Sequence, residues 1–196
     1  MTAADLIRFF ETFTSLHIQI KDVLAEVRRG SPHQSIEFYE NNDEKADVLR
    51  GFLVQEWVKR GWDIEEHLVS YIVYNGNMDI NWKRLVACKE LIHILDPEYA
   101  VTKTREDLQS LVDRMAVPMD LQGINGQELG DRVAEFQALA VLFPRAARNA
   151  LMPKYIDKSL AASEIAKLAG IPERYIAYLM SERWVEMYDQ LLDDPD

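Results

Sequence analysis

The chain has 196 residues, with 33 acidic side chains against 22 basic ones and a formal net charge of −11. That length suits one substantial core, or one domain with a small appendage, and a hydrophobic share of 48% argues against disorder. The negative charge disfavours a general nucleic-acid binder, the single cysteine Cys88 leaves no intrachain disulfide and no thiolate zinc site, and without a membrane-length apolar run or a leader-like N-terminus a soluble cytoplasmic protein is expected.

In chain order, Thr2-Ala3-Ala4-Asp5 reads as a capping box with Asp in place of Glu. Apolar residues then recur at helical spacing from Leu6 and Phe9 through Phe13, Leu16 and Ile20 to Val27. This predicts a helix that runs on to a stop at Gly30 and Pro32. His17 lies on or near that stripe and reads as a core-edge histidine rather than a ligand. Residues 31–46 are polar and broken by Pro32 and Asn41-Asn42, so a surface connection is expected there. Residues 48–58 fit a helix through Leu49, Phe52, Leu53 and Trp57, but also a buried strand, which we prefer. LVSYIVY, after His67, is β-branched and aromatic and runs into the turn pair Asn75-Gly76, so a strand is expected to end there.

NWKRLVACKELIHIL, residues 81–95, reads as a helix stopped by Asp96-Pro97, because the residue before proline avoids the α region. A helix from Thr104, with Leu108, Leu111, Val112 and Met115, is expected to stop before Pro118, and the loop DLQGINGQ follows. Residues 128–143 form the next helix, with Leu129, Val133, Phe136, Leu139 and Ala140 on one face, closed by Pro144. The last fifty residues read as short helices. Ser159 or Ser163 is the expected cap of one, Gly170 ends it, and Ile171-Pro172 opens the next. ASEIAKLAGIPERYIAYLM has the cadence of a helix-turn-helix. Its basic residues, with Lys158 just ahead of it and Lys167, Arg174 and Arg183 following, are offset by Glu164, Glu173 and Glu182. Phosphate contacts would be scarce, so a packing helix pair is expected. The tail DDPD is expected to fray.

The chemistry concentrates in Lys89-Glu90-Leu91-Ile92-His93. A zinc peptidase helix carries H-E-x-x-H, with two histidines one turn apart on the metal and the glutamate as general base. Here the glutamate and the second histidine stand in place, and Lys89 occupies the first histidine position.

Several pieces, in order, resemble the ImmA/IrrE family of zinc metallopeptidases. YIVYNGNMD leads into RLVACKELIH, where the family pattern resembles R-F-T-L-A-H-E-L-G-H, so Arg84, Glu90, Leu91 and His93 match. Further on, DRVAEFQALAVLFP is similar to E-x-E-A-N-x-F-A-x-x-L-L-x-P, with Asp131, Ala134, Ala138, Leu142 and Pro144 in register. The resemblance spans roughly residues 48–180. It implies an α+β, mostly helical, zincin-like fold with a small β-sheet. We expect that domain over residues 1–150, with a C-terminal helical segment at 151–196 packed on it, or the two as one single domain. It also implies His93 and Asp131 as vestigial metal ligands and Glu90 as a vestigial general base. Lys89 replaces a ligand, Ile92 stands at the family's glycine, and Asp131 is one methylene shorter than glutamate.

Three readings of the Lys89–His93 pair stand open. Lys89 is exposed and His93 half-buried, with no site. Or the Lys89 ammonium fills the vacated metal cavity and pairs with Asp131 or Glu90. Or an unusual metal site exists. The function expected is a catalytically inactive homologue acting as a regulatory or protein-binding module. Its implied partner is a helix-turn-helix repressor, and it needs no cofactor. The alternatives are an active zinc endopeptidase with a non-standard ligand set, and a helix-turn-helix transcriptional regulator.

Overall fold

A computed structural model describes residues 1–31, 34–42, 50–59, 66–95 and 126–192. Helix α1 spans Ala3–Phe10. Its capping box is formed: the Asp5 backbone N–H donates to Thr2 Oγ1 at 3.2 Å, and the Thr2 N–H donates to Asp5 Oδ2 at 3.0 Å. The long helix expected up to Gly30 is broken into two. α2 covers only Ile20–Gly30. The intervening Thr12-Phe13-Thr14-Ser15 is rich in β-branched and hydroxyl side chains, which favour turns over helix interiors. The Glu11 carbonyl meanwhile accepts from the Ala146 N–H at 3.1 Å.

The surface connection expected at residues 31–46 contains a strand, β1, at Gln34–Asn41. It is an edge strand, which is why its outward residues are polar. Strand β2 is Gly51–Lys59 and β3 is Glu66–Asn75, as read from the sequence. The sheet order is β1-β3-β2, with β1 parallel and β2 antiparallel to β3. Phe38, Ile72 and Leu53 lie side by side across the three strands. Beside them Ile36, Ser70 and Gln55 form the next row, tied by Gln55 Nε2 donating to Ser70 Oγ at 2.9 Å.

After the Asn75-Gly76 turn comes α3, Ile80–His93. Asp79 caps it, its carboxylate accepting from the N–H groups of Asn81 at 2.9 Å and Trp82 at 3.2 Å. Helix α3 packs against β2 and β3 and is buried from Arg84 to Ile92. A Cβ on Gly51 would come within 2.4 Å of Val86 Cγ1, so this glycine lets β2 press against α3. The helix expected from Thr104, most of the DLQGINGQ loop and the DDPD tail lie outside the described residues, as do Asp96-Pro97.

Helix α4, Gly126–Leu142, packs against α3. Of the face expected for it, Leu139 and Ala140 are fully buried, Val133 and Phe136 pack half-buried against the core, and the Leu129 side chain lies outside the described residues. Asp131 and Ala134 are also buried, and from Gln137 onward every residue to Phe143 is buried. Enclosure on all sides erases the amphipathic period in that half.

Helices α5 (Arg145–Ile156), α6 (Ala162–Ala169), a 3₁₀ turn (Glu173–Tyr175), α7 (Ile176–Leu179) and α8 (Glu182–Leu192) complete the chain. Neither Ser159 nor Ser163 caps α6. Ala161 holds that position, and the Glu164 carboxylate accepts its N–H at 2.8 Å. Gly170 ends α6 in the left-handed region, at φ 63°. Tyr175, Ile176 and Leu179 are buried in the one core that also holds Leu6, Leu91 and Trp184. The molecule is α+β and mostly helical, with a small mixed sheet. Among the described residues no helix is long and apolar enough to cross a membrane.

Candidate functional site: a buried lysine between two carboxylates

Helices α3 and α4 lie against each other, with Cys88 Sγ 3.9 Å from the Ala138 carbonyl oxygen. Burial pushes the Cys88 thiol up to about 12, so it is no nucleophile near neutral pH. Next to it, Lys89 points into the seam. Lys89 is 4% exposed, Glu90 2% and Asp131 9%, so the reading with an exposed Lys89 does not hold. The Lys89 ammonium forms a charge-assisted hydrogen bond to Asp131 Oδ1 and lies 3.1 Å from Glu90 Oε1. His93 Nε2 is 3.4 Å from the same Asp131 oxygen, with its side chain 15% exposed. The four residues singled out in the sequence therefore meet, three from the last two turns of α3 and one from the first half of α4.

The electrostatics follow from burial and pairing. Burial by itself would pull the Lys89 ammonium down, but the Glu90 and Asp131 carboxylates more than offset it, and Lys89 ends above its ordinary value. Burial would likewise raise the Asp131 carboxyl. The Lys89 ammonium and the His93 ring reverse that and hold Asp131 well below the usual carboxylate range. Lys89 is thus charged and Asp131 ionised at neutral pH.

Zinc in a hydrolase needs three protein ligands and an open position. The groups at this place are one imidazole, two carboxylates and an ammonium, which has no lone pair to give. The Asp131 oxygen nearest His93 is already held by Lys89. As they stand, these donors do not fit zinc. Among the described residues no group of three His, Cys, Asp or Glu side chains is placed to hold a metal.

The remaining histidines are elsewhere. His17 is exposed, with its ring against Gly170. His67 is exposed at the start of β3, opposite Val58. His33 lies outside the described residues. Arg84, one of the residues that carry the resemblance, is buried and holds backbone: its Nε donates to the Gly170 carbonyl at 2.9 Å, and its guanidinium to that of Ile18 at 2.6 Å. Sequence reasoning missed a second constellation, one turn along α4. Glu135 accepts from the Tyr175 hydroxyl at 2.6 Å, and Tyr175 meets Trp82 edge-on at 5.8 Å. Their wide separation along the chain left no local signal. Comparisons with models of protein families, with curated proteins and with solved structures give no significant match.

Proposed function

We propose that the chain is a degenerate ImmA/IrrE-like metallopeptidase homologue that has lost its metal chemistry and serves as a cytoplasmic regulatory or protein-binding module. One observation carries this reading: the Lys89 ammonium is buried against Asp131 and Glu90, where the resemblance places the metal. The cation that a zincin-like fold requires between these helices is supplied by the protein itself. Glu90 then has no metal-bound water to deprotonate. The strand, turn and helix of β3 and α3 support the same fold reading, as does the sheet packed on the helix that bears the site. The family's habit of pairing with helix-turn-helix repressors makes such a repressor the implied partner. The DNA-binding alternative draws less support. In the helix-turn-helix-like segment the second helix is four residues long, and its Ile176 and Leu179 are buried in the core.

The test is elemental analysis of untagged, dialysed protein. Well under one zinc per chain is expected, and stoichiometric zinc would establish an unconventional metal site instead. Lys89→His completes a His/His/carboxylate set and should raise zinc affinity in calorimetry. No gain would mean that Asp131 does not stand where the resemblance puts it.

A further inference from the structure

Among the described residues, Arg8, Arg29, Lys59, Lys83, Lys89 and Arg145 each form an ion pair with a carboxylate. Two arginines instead share one indole. The guanidinium carbon of Arg50 lies 4.1 Å from the Trp82 ring centre, and that of Arg174 lies 4.3 Å from it. Among the described residues neither has an acidic ion-pair partner.

The cluster is held in place from three sides. The Arg50 carbonyl, just before β2, accepts from the Asn75 N–H at 2.8 Å. Trp82 is fixed in the capped first turn of α3. Arg174 also lies over the Tyr175 ring at 4.6 Å and donates to its hydroxyl, which is anchored on Glu135. A guanidinium held against an aromatic face keeps N–H donors free at its periphery. These donors suit the two oxygens of a carboxylate, taken in parallel. Fixing the side chains beforehand lowers the entropy cost of binding.

The surroundings set the class of ligand. The chain as a whole carries −11, and Glu173 and Asp79 are exposed beside Arg174 and Trp82. A long polyanion such as duplex DNA would be repelled along most of its length. A short segment offering one or two carboxylates can meet the two arginines while keeping clear of most of that negative surface. We propose that Arg50, Trp82 and Arg174 form a docking point for an acidic segment of a protein partner. The inference rests on reading the chain as a protein-binding module and names the chemistry of its partner.

Calorimetric titration of the full chain with a short all-glutamate peptide tests this, with inorganic phosphate and duplex DNA as separate titrants. Saturable peptide binding is expected, weakened about tenfold or more by Arg50→Gln and by Arg174→Gln. Lys154→Gln, which removes an exposed charge on α5, should leave it unchanged. If a glutamine variant misfolds, Arg174→Lys serves, because it keeps the charge and loses the fork, and weaker binding is again expected. Absence of saturable peptide binding, or equal affinity in the arginine variants, overturns the proposal. So does phosphate or DNA binding as tightly as the peptide. The zinc content is unaffected by any of these results, so failure here is distinguishable from failure of the metal-site reading.

Discussion

Lys89 places one ammonium between two carboxylates in the seam between α3 and α4, and so offsets part of their negative charge. Replacing it by methionine keeps the volume and strands Asp131 and Glu90 in a buried place. Removing one partner of a buried pair costs about 3–5 kcal/mol, so Lys89→Met should lower stability by that order in urea melts. Adding Asp131→Asn should recover part of the loss, as coupled neighbours do. A Lys89→Met protein as stable as its parent would show that the ion pair contributes nothing. The pH dependence has a fixed sign. The folded pKa of Asp131 is depressed, so its contribution is complete above the unfolded value of about 3.9 and fades as pH falls below it. That of Lys89 is raised, so its contribution is complete below about 10.4 and fades as pH rises beyond it. The stability gap between parent and Lys89→Met/Asp131→Asn should therefore shrink as pH falls below about 4. A gap unchanged in acid would place its origin elsewhere. Three of the four residues of this site were legible from local spacing, since Lys89, Glu90 and His93 share one short stretch. Asp131, 42 residues away, could be placed only through the resemblance, because nothing local marks which acid on a later helix will face a given lysine.

At the scale of elements, the tight turn between α6 and the 3₁₀ segment is fixed by Gly170 and Arg84 together. Gly170 is left-handed, and a Cβ there would lie 2.5 Å from His17 Cε1 and 2.6 Å from Arg84 Nε. The exposed His17 ring can swing away. Arg84 is pinned by the Ile18 and Gly170 carbonyls and cannot. Gly170→Ala should therefore cost roughly 1–3 kcal/mol, combining a left-handed alanine with a crowded guanidinium. Unchanged stability in urea would mean that the turn relaxes freely. This turn was readable in advance, because glycine before Ile-Pro has a local cause. The same holds for the Thr2 capping box and for β3, whose β-branched run carries its own signal. What was not readable depended on neighbours. β1 was hidden because an edge strand needs only Ile36 and Phe38 on its inner face. The burial of Asp131, Gln137 and Ala138 on α4, beyond its expected face, was missed because its second half is enclosed on all sides.

For the molecule as a whole, the question is whether residues 151–192 stand apart from the rest. The packing joins them. Leu6 and Phe10 of α1, Leu91 of α3, Ala138 of α4 and Trp184 and Tyr188 of α8 belong to one apolar cluster. Polar links cross the same boundary. Arg8 donates to the Leu192 carbonyl at 2.5 Å, Arg145 pairs with both Glu11 and Asp189, and the Arg148 Nε donates to the Leu179 carbonyl at 2.8 Å. Pairs as exposed as Arg145–Asp189 contribute little by themselves, so the apolar contacts should dominate. Trp184 is fully buried, and Trp184→Ala should cost about 3–5 kcal/mol. If the core is one unit, that loss lowers the stability of the whole chain. Ellipticity and tryptophan fluorescence should then fall together in urea, in parent and variant alike. If the last helices form a separate unit, the variant should instead lose part of its helix in an early transition that leaves the α3–α4 seam intact. Two separated transitions in Trp184→Ala would thus divide the chain near residue 150, and one transition would bind α8 to the same cooperative core as Lys89.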